Sequence, residues 1–250
     1  MAKIFIDVGG YHGAAVLAAL DPLFNFARIY CFEPSPECVD ILKNIDDARV
    51  VVVRACLHND FGEVQLYNPG TVAASVYRDA PEYMGKAPPV SALRMDAGYF
   101  LSTFLRDTDR AWIKLNCEGS ECDILESIIE SRESIKIASA LVDFDALKIP
   151  SQMHRVSGVR RNLDASSINY YTPPDVQFGM INPYGGVRNW LIVSGAAQLN
   201  LYRIIGSAVY NAKIFLYRPE YSGYHKMKIL KAVPMLASFA RSRRRKRAAS

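Results

Sequence analysis

The chain is short of cysteine, long apolar runs and charge of one sign, and each shortage removes a class of protein. Five cysteines, Cys31, Cys38, Cys56, Cys117 and Cys122, are scattered over 250 residues. An odd, dispersed set is no disulfide framework and suits reduced thiols. Cys117 and Cys122 have no His or Cys pair nearby to complete a zinc set, which argues against a structural zinc. No apolar stretch approaches the roughly 20 residues of a membrane-spanning helix. Met1-Ala2-Lys3 runs straight into an apolar segment without a cleavage-site pattern, so a cytoplasmic location is expected. The net charge of +5 is concentrated: Arg241, Arg243, Arg244, Arg245, Lys246 and Arg247 supply six positive charges, and the rest of the chain carries a net −1. A basic face for nucleic acid across the whole domain is therefore not indicated. No G-x-G-x-x-G string and no internal repeat is present.

What is present begins at the N-terminus. The apolar run Ile4-Phe5-Ile6 stops at Asp7-Val8-Gly9-Gly10-Tyr11-His12-Gly13, and a helix-forming stretch opens at Ala14. This reads as a buried strand, a glycine turn that lets the backbone approach a ligand, and a helix offering free N–H groups. A second strand, Arg28 to Phe32, ends on Glu33-Pro34. An acid at that strand tip is placed to hold the two hydroxyls of a ribose. The turn reads D-x-G-x-x-x-G, with an acid where a pyrophosphate would be repelled. A ligand bearing an ammonium and a sulfonium suits Asp7 better, which favours S-adenosylmethionine over NAD.

The rest of the chain alternates strands and helices. Helices are expected over 36–45 and 121–131, and strands over 50–53, 63–67, 111–116 and 135–144. Val50-Val51-Val52-Val53 reads as a central strand buried on both faces. Residues 68–89, rich in Pro, Gly, Ser and Ala, read as a long loop over the cofactor pocket. Further on, a helix over 154–163 and short strands over 168–171 and 190–193 are expected, the strands forming a terminal hairpin, with turns at Pro173-Pro174 and Gly185-Gly186. Tyr170, Tyr171, Phe178, Tyr184 and Trp190 either face a ring substrate or fill the core. The pattern predicts an α/β fold: a doubly wound, mostly parallel sheet over residues 1–220, followed by an amphipathic extension with a polybasic tail over 221–250.

Four strings, "IFIDVGGYHG", "IYCFEPSPECVDIL", "ACLHNDFGEVQLY" and "AWIKLNCEGSECDILESI", occur in this order over residues 4–145. Together they resemble the FkbM family of S-adenosylmethionine-dependent methyltransferases, which show D-V-G-A-N-x-G, F-E-P, A-L-G-D-x-x-G and L-K-I-D-V-E-G-x-E at these places. The resemblance implies a sheet of the class I, Rossmann-like methyltransferase type and methyl transfer, usually to a hydroxyl oxygen on sugars or secondary metabolites. It implies that Asp7, Gly9 and Gly13 hold the methionine part of the cofactor, that Glu33 binds the ribose, and that Cys56 and Leu57 border the adenine. Lys114, Glu118, Gly119 and Glu121 match the fourth string. Gly10 and His12 stand where Ala and an apolar residue are common, His58 and Asn59 replace the usual glycine and aspartate, and Asn116 stands at the cofactor site where the family has aspartate.

A hydroxyl acceptor needs a general base, and the neutral amide of Asn116 cannot be one. Glu118 is the first candidate, Asp143 the second and His12 the third. Each has a structural alternative: Glu118 complementing the helix that follows, Asp143 paired with Lys114, and His12 capping the first helix. A divalent metal on Glu118, Asp143 and Asp145 is an alternative to a metal-free site.

The segment 226–247 combines an apolar stripe (Met227, Ile229, Leu230, Met235, Leu236, Phe239) with the basic cluster. Three readings stand: a peripheral anchor on an anionic membrane, a packed helix with a solvated end, and a nucleic-acid patch. The expected activity is O-methylation of a saccharide, glycoconjugate or secondary metabolite. The rival is a non-catalytic methyltransferase-fold scaffold in which Asn116 marks lost chemistry.

Overall fold

The computed structural model describes residues 1–81, 87–166, 168–176 and 182–218. Its first half lays down β1 (Lys3–Val8), α1 (Ala14–Ala19), β2 (Arg28–Phe32), α2 (Pro36–Leu42), β3 (Val50–Val53), β4 (Cys56–His58), β5 (Gly62–Leu66), β6 (Val90–Asp96) and α3 (Ala97–Phe104). Then follow β7 (Arg110–Leu115), α4 (Glu121–Glu130), β8 (Ile137–Val142), α5 (Val156–Ala165), β9 (Tyr170–Tyr171), α6 (Pro183–Val193) and α7 (Leu201–Tyr217). The main sheet has the order β3-β2-β1-β7-β8-β9, and every pair in it is parallel. A small sheet, β4-β6-β5, stands beside it.

Alternation along the central strands assigns the two faces. Ile4, Ile6 and Val8 of β1, with Ile113 and Leu115 of β7, pack against Phe100, Ile124, Leu125 and Val159 of α3, α4 and α5. Phe5, Trp112 and Leu141 point the other way, to Val16 of α1 and to Tyr184, Val187 and Trp190 of α6. Helices on both faces of a parallel sheet make the Rossmann-like arrangement expected from the sequence.

Three readings are corrected. Val50–Val53 is an edge strand, hydrogen-bonded to β2 alone, and its valines are half-buried. A β-branched run reports burial on pleated surfaces but not position in the sheet. Trp190–Val193 is the end of helix α6, and Gly185-Gly186 lies in its first turn. Asn182 caps that helix through the Gly185 amide at 2.8 Å, and Pro183 takes the first position. Tyr184, Val187, Trp190 and Leu191 recur at helical spacing. With α6 a helix, no terminal hairpin forms among the described residues; β9 is a two-residue parallel strand.

The aromatics of this region are core side chains. Tyr184 and Trp190 are fully buried, while Tyr170 and Tyr171 are half-buried against the two cores. Trp190 Nε1 donates to Ser139 Oγ at 3.0 Å, so the indole is buried without a stranded donor. Phe178 and the tail over 221–250 lie outside the described residues. The sequence pattern does not announce β4, β6, α3 or α7. Among the described residues no helix is long and apolar enough to cross a membrane.

Candidate functional site

The chain leaves β1 toward one edge of the sheet and returns through β7 toward the other. A crevice opens at such a switch point, outside the carboxyl ends of the two strands. Here it is a cleft of about 380 Å³. The first turn (Gly9, Gly10, Tyr11, His12), the end of β2 (Phe32, Glu33, Pro34) and Ala55, Cys56 and Leu57 line one part. Asn116, Cys117, Glu118 and Ser120 after β7 line another, with Leu66, Thr71, Val72, Ala74 and Val76 closing over it. Pro183 and Arg218 complete the rim.

The glycine turn is set by close approach. Gly9 sits at φ +78°, and a Cβ there would stand 2.0 Å from the carbonyl oxygen of Asn116. Gly9 N and Gly10 N both donate to Phe32 O, at 3.0 and 3.1 Å. The turn is thereby clamped between the ends of β2 and β7. Gly13, at φ +83°, caps α1 and lies outside the cleft lining.

Asp7 also lies beneath the cleft rather than in it. It is fully buried, and strand register sets it directly beside Lys114 on β7 and Cys31 on β2. Lys114 Nζ meets Asp7 Oδ1 at 3.0 Å and donates to the carbonyls of Val8 and Gly9 at 3.1 and 2.7 Å. Burial raises the Asp7 carboxyl, and Lys114 opposes that rise. The pair therefore ties the glycine turn to β7. Lys114 sits level with Leu141 on β8, not with Asp143, so the Lys114–Asp143 pairing is replaced by Lys114–Asp7.

Glu33 stands at the tip of β2, nearly buried at 5 % exposure yet lining the cleft. Its Oε2 accepts from Tyr11 N and its Oε1 from Ser35 N, both at 2.8 Å. A carboxylate oxygen has two lone pairs, so each retains one for a ligand hydroxyl. Cys56 and Leu57 border the cleft on the same side, where the Cys56 thiol is pushed up to about 12 by burial and then by Glu33. That thiol stays protonated and apolar. His58, in contrast, ends β4 outside the lining, between Asp60 at 3.3 Å and Asp123 at 3.7 Å.

On the facing wall, Glu118 has a left-handed backbone (φ 54°), which costs a non-glycine residue about 1 kcal/mol. Its neighbour Gly119 is held at φ +122°, where a Cβ would meet Ile149 at 2.3 Å. Glu121 fixes this turn: Oε1 accepts from Cys117 N and Gly119 N at 3.2 and 3.1 Å, and Oε2 from Ala146 N at 3.2 Å. Burial, then the charge of Asp145, pushes Glu121 up to about 7. The same two causes, with a hydrogen bond to Asp145, push Glu118 up to about 8, although Lys148 pulls the other way. Asp143 is raised by burial and Asp145 but does not line the cleft. His12 does, stacked on Tyr11 with ring centroids 3.8 Å apart. The cleft thus gathers Gly9, Glu33, Cys56, Leu57, Asn116, Glu118 and His12, and leaves Asp7, Gly13 and Asp143 outside its lining. Among the described residues no group of three or more His, Cys, Asp or Glu is arranged to hold a metal ion, so Glu118, Asp143 and Asp145 do not form one.

The loop expected from composition does cover the cleft, and it is tied down. Ser75 Oγ donates to Glu118 O at 2.6 Å, Tyr77 OH donates to Asp123, and Asp79 accepts from Ser151 N and Oγ at 2.8 and 3.0 Å. Nothing in the sequence points to Thr71, Ser75 or Ser120, and Tyr11 is marked there only as part of the turn. Tyr11 joins the site through a positive φ of 45°, which composition does not reveal.

The cleft thus sets a glycine turn and the nearly buried carboxylate of Glu33 across from Glu118, whose carboxyl is pushed up to about 8. The model of the methyltransferase FkbM domain matches residues 7–154, from the first turn through the segment after β8. No curated protein matches the chain. The match takes in most of the cleft lining and more than half of the chain, and the chain accordingly belongs to the FkbM family of methyltransferases.

Proposed function

We propose that the chain is an S-adenosylmethionine-dependent O-methyltransferase whose acceptor is a hydroxyl of a saccharide, glycoconjugate or secondary metabolite. The observation that carries the cofactor is Glu33, a cleft-lining carboxylate fixed by one backbone amide on each oxygen, which leaves each oxygen a second lone pair. The residues present fit the cofactor: Gly9 and Gly10 leave bare backbone beside it, and Cys56 and Leu57 give an apolar border for an adenine. When bound, S-adenosylmethionine supplies an electrophilic methyl group on a sulfonium.

What remains for the protein is alignment and removal of a proton. Glu118 would take the proton of the acceptor hydroxyl on its carboxylate, leaving the oxygen nucleophilic. Its pKa of about 8 makes it a stronger base than an ordinary carboxylate, at the cost of being largely protonated at pH 7. Asn116, beside it, orients through its amide without titrating. The covering loop excludes water, held by Ser75 on the Glu118 carbonyl.

The test is turnover of methyl-labelled S-adenosylmethionine with a panel of glycan and small hydroxyl acceptors, comparing wild type with Glu118→Gln. The wild-type rate should rise with pH through about 8, whereas Glu118→Gln should lose about 100-fold or more in kcat and lose that rise. Asn116 favours the scaffold reading, which predicts no turnover with any acceptor even where the cofactor binds.

A further inference from the structure

Helix α7 is apolar on two sides. Its inward face packs Tyr210, Ile214 and Phe215 on the core around a polar knot: Ser207 and Asn211 are buried, both donate to Asp21 Oδ2 at 2.9 Å, and Asn211 Oδ1 accepts from Tyr184 OH at 2.8 Å. Arg188 Nε pairs with the same Asp21 at 3.0 Å, and Tyr210 OH donates to Leu17 O at 2.7 Å. This knot pins α7 to the end of α1 and to α6. Its outward face is apolar. Leu201, Tyr202, Ile205, Val209 and Leu216 follow one another along a single stripe at helical spacing, and each is more than half exposed. A helix normally buries its apolar stripe and wets its polar one. Contiguous exposed apolar side chains of this extent mark a surface that something covers.

The chain that follows indicates what covers it. α7 ends at Tyr217, and within the next thirty residues come Lys226, Lys228, Lys231 and the run Arg241 to Arg247 with its six basic residues. A strongly cationic segment joined to an exposed apolar face matches an anionic lipid surface, which offers a hydrocarbon boundary and negative headgroups together. We propose that the outward face of α7 docks on anionic membrane surfaces, with the basic segment beyond it supplying the electrostatic half of the attraction. Either half alone binds weakly; together they hold. Arg218, directly after α7, is on the rim of the cleft, so the docked helix ends beside the cleft. Reading this as access to a lipid-linked acceptor rests on the methyltransferase reading, but the docking itself does not.

The experiment is co-sedimentation of the full chain with phosphatidylcholine vesicles with and without phosphatidylserine, at low and raised salt. Its variants are Ile205→Glu with Val209→Glu on α7, and Arg243→Gln with Arg244→Gln and Arg245→Gln in the tail. Tryptophan fluorescence and light scattering check folding and solution mass. Wild type should bind the phosphatidylserine vesicles in a salt-sensitive way. The α7 pair should bind at least about tenfold more weakly, and the tail triple about a hundredfold more weakly at about fivefold per basic residue. Three results would overturn the proposal: no vesicle binding by wild type, binding indifferent to the α7 pair, or a wild-type dimer that the α7 pair converts to monomer. The last would show that a second copy covers the face.

Discussion

Alanine at three glycines separates backbone strain from steric contact, and the contact at Gly9 is the joint on which the cleft depends. Gly195, just past the end of α6, has φ +82° and nothing within 4 Å of an added methyl, so Gly195→Ala meets strain alone, about 1–2 kcal/mol. Gly10 has no such φ, but its Cβ would lie 2.3 Å from Cys31 Sγ, a buried side chain with little room; overpacking there costs about 1–3 kcal/mol. Gly9 carries both penalties. Its φ is +78°, and the obstruction at 2.0 Å is the Asn116 carbonyl, backbone that moves only if β1 and β7 part. The two costs together give about 2–5 kcal/mol, a large share of a typical domain's 5–15 kcal/mol. Urea unfolding followed by tryptophan fluorescence is suited to this, because Trp112 and Trp190 are both buried in the core. The order of loss should be Gly9 largest, Gly10 intermediate, Gly195 smallest. A Gly9→Ala loss no greater than that of Gly195→Ala would refute the clamp between the first turn and Asn116.

Three further outcomes follow from the ionisable groups and the covering loop. Lys114→Met leaves Asp7 buried without its cation and should cost about 3–5 kcal/mol in urea unfolding; adding Asp7→Asn should restore part of that, and full additivity of the two losses would contradict the pairing. Glu121 has a folded pKa raised from 4.5 to about 7, so its protonated form is favoured in the fold. That contribution is complete below about pH 4.5 and is lost as pH rises through about 7, so stability should fall by on the order of 3 kcal/mol between pH 5 and 8. Glu118 and Asp143, also raised, act in the same direction. A stability flat across that range would remove the assignment. Tyr77→Phe removes the phenol's bond to Asp123 and should loosen the covering loop, seen as faster proteolysis within residues 68–81 with an unfolding free energy changed by no more than about 1 kcal/mol; an unchanged proteolysis rate would show that Ser75 and Asp79 hold the loop by themselves.

The parts of the site that were legible in the sequence are those written in local chemistry. A strand, a glycine turn and a helix lie within the first twenty residues, and Glu33 follows at the tip of the next strand, so each could be placed without knowing the fold. What depends on register was hidden. Asp7 carries the chemistry of a cofactor contact, but its parity in β1 sends it to the same face as Phe5, beneath the turn, and register sets Lys114 beside it. The valines of β3 show the same limit, since their β-branching marks a strand but tells neither its place in the sheet nor that both faces stay half-buried. α6 was misread because Gly185-Gly186 and an apolar run suggest a turn and a strand, while Asn182 and Pro183 cap a helix whose packing outweighs the glycines' low propensity. α7 has apolar residues on two sides, Tyr210, Ile214 and Phe215 against the core and Leu201, Ile205 and Val209 exposed, so periodicity alone does not tell which side faces in.

The most direct measurement is calorimetric titration of S-adenosylmethionine and S-adenosylhomocysteine into wild type and Glu33→Ala. The account predicts binding in the micromolar range by wild type and a loss of at least about tenfold in Glu33→Ala, whose carboxylate no longer meets the ribose hydroxyls. A folded wild type that binds neither compound, or a Glu33→Ala variant that binds both as tightly as wild type, would contradict it.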